Sequence, residues 1–142
     1  NSVKRLVVAV PQMAELEVGF DVWFDRIKNI ASQLSIPVVF YANKNTTIAL
    51  KKQCEIHSSL NVSFRELASW EDFLIISKHI KHGDTLIVIT ARKATLSYNN
   101  LFEKIPYYLN KYFTDNNFLL IYPRQTAPDG TDNDIYNPLK IS

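Results

Sequence analysis

The residues with the most chemistry to offer lie between Asp84 and Asn100. An apolar run, Leu86–Ile89, ends at Thr90 and opens into a segment carrying Arg92, Lys93, Thr95, Ser97 and Asn99, with no glycine. Hydroxyls, amides and two cations at the end of a strand and just ahead of a helix suit an oxyanion. Backbone N–H groups at a helix start favour phosphate, and so does guanidinium or ammonium charge. In an open α/β sheet, ligands sit outside the carboxyl ends of the strands, and these residues stand at such an end. The segment also reads as a polar surface loop in which Asn99 or Asn100 caps the next helix. Residue types alone leave both readings open.

Other clusters are thinner. Cys54 and His57 lie three apart, as do His79 and His82. Two such pairs suit tetrahedral zinc, but surface histidines at helix ends and one core cysteine account for them equally simply, and no metal is expected. Asp129, Asp132 and Asp134 resemble the start of a calcium loop, yet Lys140 stands where the closing Glu belongs. Glu15, Glu17, Asp21 and Asp25 gather before and within a helix. Acids are favoured near a helix N-terminus, and the cluster reads as a solvated face. No carboxylate pairs with a nucleophile at a readable spacing, so the chain is read as non-catalytic. Three glycines in the whole chain leave no Walker loop, dinucleotide fingerprint or Gly-x-Ser-x-Gly elbow. The first strand runs into Pro11, Gln12 and Met13, without the acidic pair of a receiver domain or the hydroxyl-rich phosphate loop of a flavodoxin.

The elements that must position these residues follow from periodicity. Lys4–Val10 is a near-continuous apolar run, typical of a strand buried on both faces, and Val38–Ala42 is the second strand. Val62–Leu67 alternates, which suits a sheet edge. Leu86–Thr90 and Asn117–Tyr122 complete five strands. Phe20, Trp23, Phe24, Ile27, Ile30, Ala31 and Leu34 recur at helical spacing and are stopped by Pro37. Asn43, Asn45 and Thr46 offer caps to a second helix running toward His57. Ser69, with Asp72 three residues on, caps a third, whose buried stripe is expected to be Trp70, Phe73, Leu74, Ser77 and Ile80 and which ends at Gly83. A fourth covers Leu101 to Phe113, with Pro106 in its first turn or at a kink. Strands alternating with helices over short connections imply right-handed crossovers and a parallel sheet with helices on both faces, a three-layer α/β fold. The domain spans residues 1–125, and 126–142 reads as an irregular tail.

Composition sets the outer bounds. The 142 residues are 46% hydrophobic and 21% charged with a net charge of +2, an ordinary globular balance for one domain. Lys51-Lys52 and Arg92-Lys93 are pairs rather than tracts, so no nucleic-acid partner is indicated. One cysteine forbids an intrachain disulfide. No run reaches the roughly 20 apolar residues that span a bilayer. The chain begins Asn1-Ser2 and not with Met, which fits a segment of a longer protein.

The β-α-β-α-β-α-β-α-β layout from Val3 to Pro123 resembles the universal stress protein family, of the adenine nucleotide alpha hydrolase-like fold. Trp70–Ser77, Asp84–Arg92, Ser97-Tyr98, Leu101–Pro106 and Asn117–Pro123 are more specifically similar to the stress-protein-like cytoplasmic tail of sodium/proton antiporters of the monovalent cation:proton antiporter-2 type in Bacteroides-like bacteria. The resemblance implies strand order 3-2-1-4-5. It also implies pairing of two copies through the fifth strand, Phe118, Leu119, Leu120, Ile121 and Tyr122, and a ligand site after strand four. Gln12 and Asn43 would then join Thr90, Arg92, Lys93, Thr95, Ser97 and Asn99, with an adenine nucleotide as the implied ligand. It implies a regulatory role beside the membrane domain of the same polypeptide, on the cytoplasmic side of the bacterial inner membrane. A free-standing nucleotide-binding stress protein is the alternative. Nucleotide-binding members carry an acid after strand one and Gly-x-x-Gly in the loop after strand four. Here Pro11 and Ala91-Arg92-Lys93-Ala94 stand at those places.

Overall fold

Burial sorts the strands into centre and edge. In a computed structural model that describes residues 2–56, 60–93, 95–126 and 132–133, β1 (Arg5–Ala9), β2 (Val38–Ala42) and β4 (Asp84–Ile89) are almost wholly buried. β3 (Val62–Glu66) and β5 (Asn117–Ile121) are open along much of their length. The five strands are all parallel, in the order β3-β2-β1-β4-β5. Val7 lies between Val39 and Leu86 at the centre of the sheet. A strand sends alternate side chains to opposite faces, which produces two cores. Leu6, Val8, Phe40, Ile87 and Ile89 pack under one helical layer, and Val7, Ala9, Val39, Leu86 and Val88 under the other.

α1 (Phe20–Leu34) buries Phe20, Trp23, Phe24, Ile27 and Ala31, the expected stripe. It ends at Ser35, which takes a left-handed conformation (φ 54°) and donates its N–H back to Ala31 and Ser32. Pro37 follows the stop and does not make it. α2 (Lys44–Ile56) covers the same face.

The third crossover differs from the expected α-helix. Trp70–Lys78 is a 3-10 helix whose buried residues are Trp70, Phe73 and Ile76. The stripe therefore recurs every three residues, the period of a 3-10 helix. Leu74, Ser77 and Ile80, which an α-helical count puts on the buried face, are only half-buried. The packing is aromatic: the Trp70 ring meets Phe73 at 5.4 Å and Phe102 at 5.3 Å, both edge-on. The last crossover is split in two. Asn100–Lys104 is 3-10, and α3 (Ile105–Tyr112) begins with Pro106 in its first turn, where a missing N–H costs nothing. In the expected tail, β6 (Gln125–Thr126) pairs antiparallel with β7 (Asp132–Asn133). The remainder of 127–142 lies outside the described residues.

β5 occupies the sheet edge, as the resemblance implies. Phe118 is 44% exposed, Leu119 and Leu120 are half-buried against opposite faces, Ile121 is core, and Tyr122 lies half-buried just past the strand.

The amino ends of the central strands are locked by charge. Arg5 donates to both carboxylate oxygens of buried Asp84, at 3.1 and 2.6 Å, and the Lys81 N–H donates to the same group at 2.8 Å. This bond raises the Arg5 pKa against the opposing effect of burial. Gly83 turns the chain into β4 at φ 93°, a left-handed value that disfavours any side chain. Asp84→Asn should destabilise the fold by about 3 kcal/mol in urea unfolding, because it leaves a partly buried guanidinium without its counter-charge.

Candidate functional site

The fold places the order reversal between β1 and β4, so the crevice where such sheets bind ligands opens over the ends of these two strands. All eight candidate residues lie along this carboxyl side. All but Lys93 make a hydrogen bond within the protein.

Thr90 is buried, and its hydroxyl donates to the Ile121 carbonyl at 2.8 Å. It ties β4 to β5. Arg92 reaches the Pro123 carbonyl at 3.1 Å, and burial holds its guanidinium pKa below the ordinary value. Lys93 points to solvent and meets Glu103 at 3.7 Å, a contact of little worth because both side chains are well exposed. Glu103 also accepts from the Tyr98 hydroxyl at 2.8 Å, which raises the Tyr98 pKa. The Thr95 hydroxyl donates to the Arg92 carbonyl at 2.6 Å and closes the turn. Asn99 accepts from the Leu101 N–H at 2.9 Å and caps the 3-10 helix, and Asn43 accepts from the Thr46 N–H at 2.8 Å and caps α2. Gln12 donates to the Ala68 carbonyl at 2.8 Å.

Ser97 makes the decisive contact. Its backbone N–H and its hydroxyl both donate to one carboxylate oxygen of Glu17, at 2.9 and 2.7 Å. Two donors converging on one oxygen is the arrangement expected for a bound oxyanion. The oxyanion is the chain's own. Glu15, on the same loop, accepts from the fully buried Thr46 hydroxyl at 2.7 Å. Glu15 and Glu17, expected on a solvated face, are thus directed into the structure. Asp21 is the outward member that makes a surface contact, accepting from Gln53 at 2.6 Å. Thr46, which the sequence offers as a cap for α2, is instead fully buried and gives its hydroxyl to Glu15.

These contacts make the Pro11–Gly19 loop a strap across the carboxyl side of the sheet. Met13 takes a left-handed conformation (φ 65°) to start the 3-10 turn Ala14–Leu16. The loop touches the chain after β3 through Gln12, the start of α2 through Glu15, and the chain after β4 through Glu17. At its far end Gly19 lies against the backbone after β5, and a Cβ there would come within 2.7 Å of the Arg124 N and O. That span crosses the whole sheet, about 19 Å at the usual strand spacing. Between the β4 loop and β5 a groove of about 130 Å³ remains, lined by Tyr98, Phe102, Pro106, Leu120 and Tyr122 among others. Ligand pockets ordinarily run to some 300 Å³ or more.

Of the suggested metal pairs, His57 lies outside the described residues. Cys54 is half-buried, and burial pushes its thiol pKa up. Among the described residues no three His, Cys, Asp or Glu side chains gather as metal ligands would.

The chain matches no protein-family model, no curated protein and no solved structure.

Two outcomes follow from this geometry. Glu17→Ala removes the acceptor of two hydrogen bonds at a buried serine and should cost about 2 kcal/mol in chemical denaturation. Cys54 should react with iodoacetamide at pH 8 more slowly than a free thiol does, and at the free-thiol rate once urea unfolds the chain.

Proposed function

We propose that this chain is a non-catalytic regulatory domain, acting on the cytoplasmic side of a bacterial sodium/proton antiporter through contacts between protein surfaces. The observation that supports this reading best is the strap over the carboxyl side: the place where a sheet of this order would hold a nucleotide is taken by Glu17, Glu15 and Gln12. Glu15 and Glu17 accept from the hydroxyls of Thr46 and Ser97, and both of these are buried away from any substrate. The antiporter assignment rests on the resemblance carried by Trp70–Pro123. Among the described residues no helix is long and apolar enough to cross a membrane, so ion movement would belong to another part of the polypeptide.

Two copies of the domain would pair through β5. The exposed Phe118 and the outer backbone of that strand supply an apolar edge that is unpaired among the described residues. A free-standing nucleotide-binding protein is the rival, and the occupied crevice argues against it.

Three measurements separate these readings. Titrating the purified domain with ATP, ADP, AMP and inorganic phosphate should give no thermal stabilisation. A true ligand at a hundred times its Kd would add about 2.7 kcal/mol, and such a gain would favour the rival. Sedimentation should show a dimer that Phe118→Lys converts to monomer without loss of fold, since that side chain is 44% exposed. A monomer at high concentration would remove the pairing. The reading frame that encodes the segment should also encode membrane-spanning helices, and a free-standing frame would defeat the antiporter assignment.

A further inference from the structure

Among the described residues the sheet has two open edges, and their chemistry differs. β5 is apolar, whereas β3 is flanked by cations. Between α2 and β3 lies a groove of about 260 Å³ whose lining includes Lys44, Ile48, Lys51, Phe64, Arg65 and Glu66. Lys44 and Lys51 border it from α2, and Glu66 is the one carboxylate in its lining. Lys44, Lys51 and Arg65 are exposed, and none forms an ion pair among the described residues. Lys51 lies over the Phe64 ring at 5.5 Å, and Ile48 is 51% exposed beside it.

The backbone of this edge is set for a further strand. The Leu67 N–H donates to Ala42 and the Asn61 carbonyl accepts from Val38, both at 2.9 Å. Backbone groups alternate sides along a strand with period two. The odd-numbered residues therefore bond to β2, while Val62, Phe64 and Glu66 turn their N–H and C=O groups outward. Side chains alternate between the two faces. Val62 and Phe64 pack toward α1 and α2. Arg65 pairs in register with Tyr41, which belongs to the opposite core. Cations consequently border the open edge on both faces, with Lys44 and Lys51 on one and Arg65 on the other.

We infer that the β3 edge receives an extended acidic segment of another protein, added to the sheet as a sixth strand. Main-chain hydrogen bonds to Val62, Phe64 and Glu66 would hold it, as in other strand additions. Its carboxylates would meet Lys44, Lys51 and Arg65, and an apolar residue would rest on Ile48 and Phe64. Charge complementarity selects the partner and speeds encounter more than it adds affinity. The inference does not depend on the antiporter assignment or on the state of the crevice.

The probe is a fluorescein-labelled peptide of Glu-Glu-Val-Glu repeats, which carries acids on both faces of a strand. Its anisotropy should rise on titration with the whole domain. The affinity should fall with added salt and by about tenfold or more in Lys44→Glu/Lys51→Glu, a change of at least 1.4 kcal/mol. A Lys-Lys-Val-Lys counterpart should not bind. A Glu-Glu-Val-Glu peptide N-methylated at every amide has no N–H on either edge, cannot extend the ladder and should lose most of its affinity. This arm needs no protein variant, so it stands even if the double substitution disturbs the fold. Failure of the acidic peptide to bind would overturn the proposal and mark the lysines as guards against strand pairing. Undiminished binding of the N-methylated peptide, or by the charge-reversed protein, would overturn it equally.

Discussion

The carboxylate of Glu17, gripped by the N–H and hydroxyl of Ser97, is the contact on which the carboxyl side of this sheet depends. A parallel sheet with its order reversing between two central strands leaves a crevice there by construction. The loop after β4 presents converging donors to it, and converging donors attract an anion. A carboxylate on a neighbouring loop satisfies them at no cost in translational freedom, because it is already tethered. The rest of the strap then falls into place, with Glu15 on the buried Thr46 hydroxyl, Gln12 on Ala68 and Gly19 pressed against the Arg124 backbone. Any ligand entering the crevice must first displace two short, partly buried hydrogen bonds to a charged acceptor.

With the strap across the carboxyl side, the two edges are the surfaces on which the proposed contacts rest. The amino side is fastened by Arg5 and Asp84, with the Lys81 N–H on the same carboxylate. Two edge strands remain, and they present opposite characters. β5 offers Phe118 and an apolar flank, which suits a second copy of the chain. The β3 edge is bordered by Lys44 and Lys51 of α2 on one face and by Arg65 on the other, which disfavours self-pairing by charge repulsion and suits an acidic segment. A domain that uses one edge for itself and the other for a partner can carry a signal with no catalytic chemistry and no small ligand.

Much of this arrangement was legible in the residue pattern. Apolar runs marked β1 and β4 as buried, and the alternation in Val62–Leu67 suggested an edge. Asn43, Ser69 and Asn99 were readable as caps because a short polar side chain before an apolar period has few other uses. Strand order came from the resemblance and not from pattern. The 3-10 character of Trp70–Lys78 was missed because Trp70 and Phe73 fit either period, and only the burial of Ile76 in place of Leu74 and Ser77 decides between three and 3.6 residues per turn. Glu17 was unreadable for a different reason. Its partner lies eighty positions away, and an acid near a helix start has a sufficient local explanation in the helix dipole. The candidate residues lie along the carboxyl side of the sheet, and Gln12, Thr90, Arg92 and Ser97 bond partners that only the fold brings near.

Amide hydrogen exchange at Ser97, in the wild-type domain and without added ligand, tests the internal-anion account most directly. Protection at Ser97 comparable to that of the neighbouring β4 amides, and unchanged by adenine nucleotides or phosphate, is the predicted result. Exchange at the rate of an open loop, slowing when a nucleotide is added, would contradict it and return the crevice to ligand binding.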